Sequence, residues 1–105
     1  MLELNDRWGK HQVVLVVTRY YNDNLCIKLL EDDGECRVPY ANLTTNFPIK
    51  LISDEAFIDT NNLPDAVSFI FENSLGYYNN RSIQSGYCIY PIFKFDMEEL
   101  ERNSE

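Results

Sequence analysis

Ala56-Phe57-Ile58-Asp59-Thr60-Asn61-Asn62-Leu63-Pro64-Asp65-Ala66-Val67-Ser68-Phe69-Ile70-Phe71-Glu72-Asn73-Ser74-Leu75-Gly76 holds most of the fold's grammar in about twenty residues. Phe57-Ile58 is a short buried strand that ends at Asp59. Asn61 or Asn62 is positioned to accept hydrogen bonds from the first free helix amides, Pro64 suits a first turn, and Asp65 suits the helix dipole. Leu63, Ala66, Val67, Ile70, Phe71 and Leu75 then recur at spacings of three and four, an apolar stripe that must lie on a sheet. Gly76 is placed to end the helix in a left-handed conformation.

Upstream, Gln12 to Tyr21 is dense in β-branched and aromatic residues and predicts a strand, after a lead-in over residues 1–10 that is irregular or a first short strand. Asn22-Asp23-Asn24 is turn chemistry. Leu25 to Glu31 alternates as the next strand, Asp32-Asp33-Gly34-Glu35 makes a hairpin, and Cys36 to Thr45 returns. Pro39 cannot donate to a ladder, so that strand belongs at an edge or carries a bulge. Residues 46–55 offer a further short strand around Ile49, Leu51 and Ile52, interrupted by Pro48.

Downstream, Tyr77 to Ser85 is polar and aromatic without period, which predicts a loop. Gly86 to Phe95 predicts a long strand interrupted by Pro91, and Asp96 caps a short helix from Met97 to Arg102. The expected architecture is a single α+β domain over residues 1–105. In it an antiparallel meander is packed by one main helix, with a further C-terminal strand and a short terminal helix.

Composition narrows the function classes. A chain of 105 residues with 45% hydrophobic residues can bury one modest core. Nine Lys and Arg against seventeen Asp and Glu leave a net charge of -8. That field repels phosphate backbones, so direct nucleic-acid binding is disfavoured; the charge serves solubility, or suits the domain to a basic protein surface. The first residues lack the basic and apolar regions of a signal peptide, and the longest apolar run, Val13 to Val17, is too short to cross a bilayer. Cys26, Cys36 and Cys88 contain no CxxC pair. With Asp33-Gly34 at the hairpin tip Glu31 faces Cys36, which leaves Cys26 about five residues away at roughly 3.3 Å each, beyond disulfide reach. Three reduced, mostly packed thiols in a cytoplasmic protein are expected.

No reaction announces itself. His11 is the only histidine and has no cysteine nearby at a ligand spacing, so neither a metal nor a cofactor is expected. A Cys88–His11 pair is conceivable, but Tyr87-Cys88-Ile89-Tyr90 has the pattern of a strand interior. Four scattered glycines build no phosphate loop. The candidate partner surface is therefore made of Asp32, Asp33 and Glu35 at the hairpin, Tyr77 and Tyr78 in the loop, and Glu98, Glu99 and Glu101 on the terminal helix. Asp59, Asn61 and Asn62 form a structural cap at the strand-to-helix junction.

Three segments together carry a resemblance: Tyr40-Ala41-Asn42-Leu43-Thr44-Thr45-Asn46, the Ala56–Asn62 junction leading to Phe69–Gly76, and Ser85-Gly86-Tyr87-Cys88-Ile89-Tyr90-Pro91-Ile92-Phe93-Lys94-Phe95-Asp96. With Asn22–Ile27 they cover residues from about 20 to 100. They resemble a family of small acidic proteins of unknown function encoded on bacterial conjugative elements and phages, and no catalytic residues come with the likeness. This resemblance implies a non-enzymatic, stoichiometric inhibitor of a nucleic-acid-targeting defence enzyme, of anti-CRISPR or antirestriction type. Its partner is then a CRISPR effector nuclease or restriction enzyme. The alternative is an accessory protein of the element that acts through self-association, for instance as a homodimer burying Tyr77 and Tyr78.

Overall fold

The computed structural model describes residues 2–105. Eight strands and two helices follow in the order β1 (Leu2–Asp6), β2 (Gly9–Arg19), β3 (Leu25–Asp32), β4 (Arg37–Asn42), β5 (Thr44–Thr45), β6 (Glu55–Ile58), α1 (Ala66–Glu72), β7 (Gly76–Ser85), β8 (Cys88–Phe95) and α2 (Met97–Arg102). They form two four-stranded sheets, a meander β1-β2-β3-β4 and a second sheet ordered β5-β6-β8-β7, all pairings antiparallel. The fold is α+β with a meander and a short C-terminal helix, as the pattern predicts, but the meander faces a second sheet.

Strand periodicity explains the core. Val13 and Leu15 of β2, Ile27 and Leu29 of β3, and Leu2 and Leu4 of β1 project from one face of the meander. They meet Ala56, Ile58, Phe93 and Phe95 of the second sheet, with Ala66, Phe69 and Ile70 of α1 closing the side. A smaller cluster of Leu51, Phe57 and Ile92 lies on the other face of the second sheet, under residues 46–54. That segment forms no strand. It is held instead by the turn asparagines: buried Asn24 donates to the carbonyl of Ile49 at 2.8 Å and accepts from the amide of Leu51 at 2.8 Å, and Asn22 donates to the carbonyl of Phe47.

Several local expectations are corrected. The predicted return strand Cys36–Thr45 is split at Leu43, so that β4 stays in the meander and Thr44–Thr45 joins the second sheet. The hairpin loop is wider than a two-residue tip, with Asp32 opposite Arg37 and Glu31 opposite Val38 rather than Cys36. Cys36 is exposed, Cys88 half-buried, and only Cys26 fully packed. Tyr77 to Ser85 is a strand, not a loop, because Tyr78 and Ile83 find apolar partners on the facing strand; Gly86-Tyr87 is the two-residue turn between β7 and β8.

The main helix begins later than predicted. Asp65 occupies the cap position without a side-chain bond, and neither Asn61 nor Asn62 caps it. Asn62 instead donates from its amide and side chain to the carboxylate of Asp59, which is buried. The helix also ends at Glu72, four residues before Gly76. The Leu75 amide donates to Ile70 and the Ser74 amide to Phe71, with Ser74 at φ 55°. This is the paired terminal arrangement in which a left-handed residue closes a helix and a following apolar residue packs back. Ser74→Gly is accordingly expected to raise stability by about 0.5–1 kcal/mol, a few degrees in a thermal melt. Phe71, placed on the apolar stripe by periodicity, is 55% exposed, with its ring 5.7 Å from that of Phe93.

Candidate functional site

At one end of the meander the core face turns polar, and each strand contributes one side chain. Asp6 follows Leu4 on β1, His11 precedes Val13 on β2, and Glu31 follows Leu29 on β3, all by the period of two. Tyr40 reaches the same face through a bulge. Ala41 pairs with Leu29 and Pro39 with Leu30, which leaves Tyr40 as the extra, unpaired residue.

The four groups interlock. His11 Nδ1 lies 2.6 Å from Glu31 Oε2 and its Nε2 3.0 Å from Asp6 Oδ1. The Tyr40 hydroxyl donates to the other Asp6 oxygen, and its ring sits 4.5 Å from the imidazole, centroid to centroid. The Trp8 amide also donates to Asp6, at 2.8 Å. The Glu31 carboxylate raises the pKa of His11, outweighing burial, and Asp6 adds to the effect. Burial by itself would raise Asp6, yet the Tyr40 hydroxyl, the Trp8 amide and His11 hold it below the ordinary value. Burial, then the bond to Asp6, pushes Tyr40 up to about 12.

With a carboxylate at each ring nitrogen, the protonated form of His11, which its raised pKa favours, can donate on both sides. No group of three or more His, Cys, Asp or Glu that could hold a metal ion is found among the described residues. The cluster floors a cleft of about 690 Å³, walled by Trp8, Leu63, Pro64 and Asp65. Trp8 is 72% exposed and its ring carries the Arg7 guanidinium at 4.8 Å.

The predicted acidic residues lie elsewhere, on the hairpin and on α2. Asp32 accepts from Arg37 Nε at 2.9 Å and from the Gly34 amide, and the Arg37 guanidinium chiefly holds its carboxyl below the usual range. Asp33 is lowered by the amides of Cys36 and Glu35, so both aspartates shape the hairpin that displays them. On α2, Asp96 caps the amides of Glu98 and Glu99, and Glu99 pairs with Arg102. Residues 103–105 return alongside the free edge of β2, with the Leu15 amide donating to Asn103 and the Glu105 amide to Leu15. Arg37 then reaches both Asp32 and, at 3.7 Å, Glu105. The hairpin and the C-terminal segment, far apart in sequence, thus share one arginine and a shallow cleft of about 400 Å³. Glu35, Glu98 and Glu101 are exposed and have no cationic partner among the described residues.

Tyr77 and Tyr78 lie on β7 opposite Lys94 and Phe93, 56% and 41% exposed. Asn61 receives the Cys88 thiol at 3.3 Å. Cys88 is therefore tied to the junction and not to His11, whose neighbours are two carboxylates and a phenol. Sequence reasoning missed the four-strand cluster, weighing His11 as a metal ligand or a partner for Cys88. The available signal was the hairpin register, which sets Glu31 beside β2 two residues from His11. It also missed buried Glu55, which accepts from Arg81 and Asn79 at 2.5 Å each; burial alone would raise its carboxyl, and these partners lower it.

No helix among the described residues is long and apolar enough to cross a membrane. Neither the curated proteins nor the solved structures offer a match. Residues 14–105, from the middle of β2 through the C-terminal segment and so without Asp6 and His11, match a family described as "Domain of unknown function (DUF4313)", and the chain belongs to that family.

Proposed function

We infer that this protein acts by binding another protein, through a carboxylate-rich face built from the β3–β4 hairpin and the C-terminal helix and segment. The observation that carries the reading is the Arg37 bridge, which joins Asp32 to Glu105 and so draws two remote acidic segments to one side. Glu35 on the hairpin and Glu98 and Glu101 on α2 add exposed charge with no cationic partner among the described residues. In a molecule of net charge -8 such a face suits a basic surface, including one that otherwise holds nucleic acid. Together with the likeness to proteins of conjugative elements and phages, this supports a cytoplasmic, non-enzymatic inhibitor of a nucleic-acid-targeting defence enzyme, of anti-CRISPR or antirestriction type.

The test is co-purification with CRISPR effector nucleases and restriction enzymes, coupled to DNA-cleavage assays with inhibitor in stoichiometric amounts. Binding and protection by the wild type are expected. The triple variant Glu35→Lys/Glu98→Lys/Glu101→Lys should bind at least about tenfold more weakly while melting normally, because rim charges govern encounter and orientation more than folding. Protection by the variant equal to wild type would remove the acidic face from the account, and failure to bind any effector would remove the inhibitor reading.

A further inference from the structure

We propose that this protein forms a symmetric homodimer by antiparallel pairing of β7 with β7 of a second copy, across residues 81–85. The inference is independent of what the acidic face binds. It begins with the four edges of the two sheets, three of which the chain itself covers, blunts or keeps short. Beside β1, Asn73 donates to the Glu3 carbonyl and receives the Glu3 amide, so a side chain stands where a strand would. β4 carries Pro39 and a bulge, two devices that blunt an edge. β5 has only two residues, and the Tyr20 hydroxyl bonds the Thr44 carbonyl. β7 is ten residues long, contains no proline or lysine, and lies open.

Charge points to the same edge. Asn73 to Phe95 is the longest stretch of the chain without an acidic residue, and it includes the whole β7–β8 hairpin. Its two cations are already answered, Arg81 by Glu55 and Lys94 by Asp54. In a molecule of net charge -8 this edge lets two copies meet without opposing carboxylates.

The hairpin also fixes the register. Ser85 pairs with Cys88 across the two-residue turn, a hydrogen-bonded pair, so Ile83 opposite Tyr90 is hydrogen-bonded in turn and Gln84 opposite Ile89 is not. The Ile89 carbonyl accordingly points away from β7 and receives the Thr60 hydroxyl at 3.3 Å. Ser82 and Gln84 are thus the residues whose amides and carbonyls face outward. The bulge between Tyr78 and Arg81, with Asn80 at φ 67°, confines regular pairing to residues 81–85.

A two-fold axis through Ile83 makes this segment complementary to itself. Ser82 of one copy pairs with Gln84 of the other, and both such pairs exchange amide and carbonyl. Ile83 faces Ile83 in the close, non-hydrogen-bonded position, and Arg81 stands opposite Ser85, so no like charges meet. Ile83 already packs on the Leu51–Phe57–Ile92 cluster, so the paired isoleucines extend an existing apolar layer.

Two measurements test this. Light scattering and sedimentation over a concentration series are expected to show conversion to twice the 12.3 kDa chain mass. Ser82→Lys/Gln84→Lys, at two exposed positions, should weaken that association at least about tenfold with an unchanged far-UV spectrum. In a Cys36→Ser/Cys88→Ser background, Ile83→Cys should cross-link two chains on mild oxidation, and Ser82→Cys, whose counterpart is Gln84, should not. A wild type that stays monomeric at every concentration overturns the proposal. So does a dimer that survives the lysines, or one that cross-links through residue 82 and not 83.

Discussion

Gly76→Ala is expected to destabilise the protein by about 2–4 kcal/mol, roughly 10–20 °C in a thermal melt. The reason is not backbone conformation, since Gly9, Gly34 and Gly86 have positive φ and Gly76 does not. A Cβ on Gly76 would lie 2.4 Å from the Lys94 carbonyl oxygen and 3.1 Å from the Phe95 Cα. Both are backbone atoms of the paired strand and cannot rotate aside. Moving them would disturb β8 where Phe93 and Phe95 enter the core. The turn glycines offer the control, because a Cβ at Gly34 or Gly86 meets nothing within 4 Å. Alanine there should cost only the left-handed penalty, about 1–2 kcal/mol. Equal melting temperatures for Gly76→Ala and Gly34→Ala would show that the strand yields at this point.

The second large effect is pH-dependent and centres on His11. Its pKa is raised in the folded state above the ordinary 6.5, so its stabilising contribution is complete below about 6.5 and is lost as pH climbs through the higher folded value. Asp6 runs the other way. Its folded pKa lies below the ordinary 3.8, so its contribution is present above that value and is lost as acid protonates it. Stability from this cluster is therefore greatest in mildly acidic solution, and urea midpoints should fall from pH 6 towards pH 9. At pH 6, His11→Ala is expected to cost about 2 kcal/mol by stranding two partly buried carboxylates, a figure below that for fully buried pairs because Glu31 is partly exposed. The variant should also lose most of the alkaline slope. A slope retained in His11→Ala would assign the dependence to other groups.

Legibility in the sequence followed the range of the interaction. The meander was readable because its turns carry their own chemistry: Asn22-Asp23-Asn24 and Asp32-Asp33-Gly34 bend the chain whatever lies beyond them. The second sheet was not, since β6 finds its partner in β8 across a helix and a strand, and no local pattern encodes that pairing. β7 was mistaken for a loop because it is an edge strand, exposed on most positions, so burial imposed no alternation on Tyr77 to Ser85. Gly76 was mistaken for a helix terminator because glycine signals both a left-handed residue and a close backbone approach, and only the neighbouring strand tells which applies. The acidic residues of the candidate face were visible as charge, whereas Arg37 as their common partner required the return of residues 103–105 to Leu15. The His11 cluster depended on a bulge, which moves Tyr40 by one position and cannot be counted from composition.

The two-sheet division also bears on the order in which the chain assembles. All four strands of the meander lie within residues 2–42, and each pairs with its sequence neighbour, so their contacts close short loops at low entropic cost. The second sheet must wait for β8 at residues 88–95 before β6 has more than the two-residue β5 beside it, or β7 a hairpin. On a ribosome, the first half can therefore zip together while its oily side stays uncovered until β8 emerges. The docking of the late hairpin then becomes the slow, committing event of maturation.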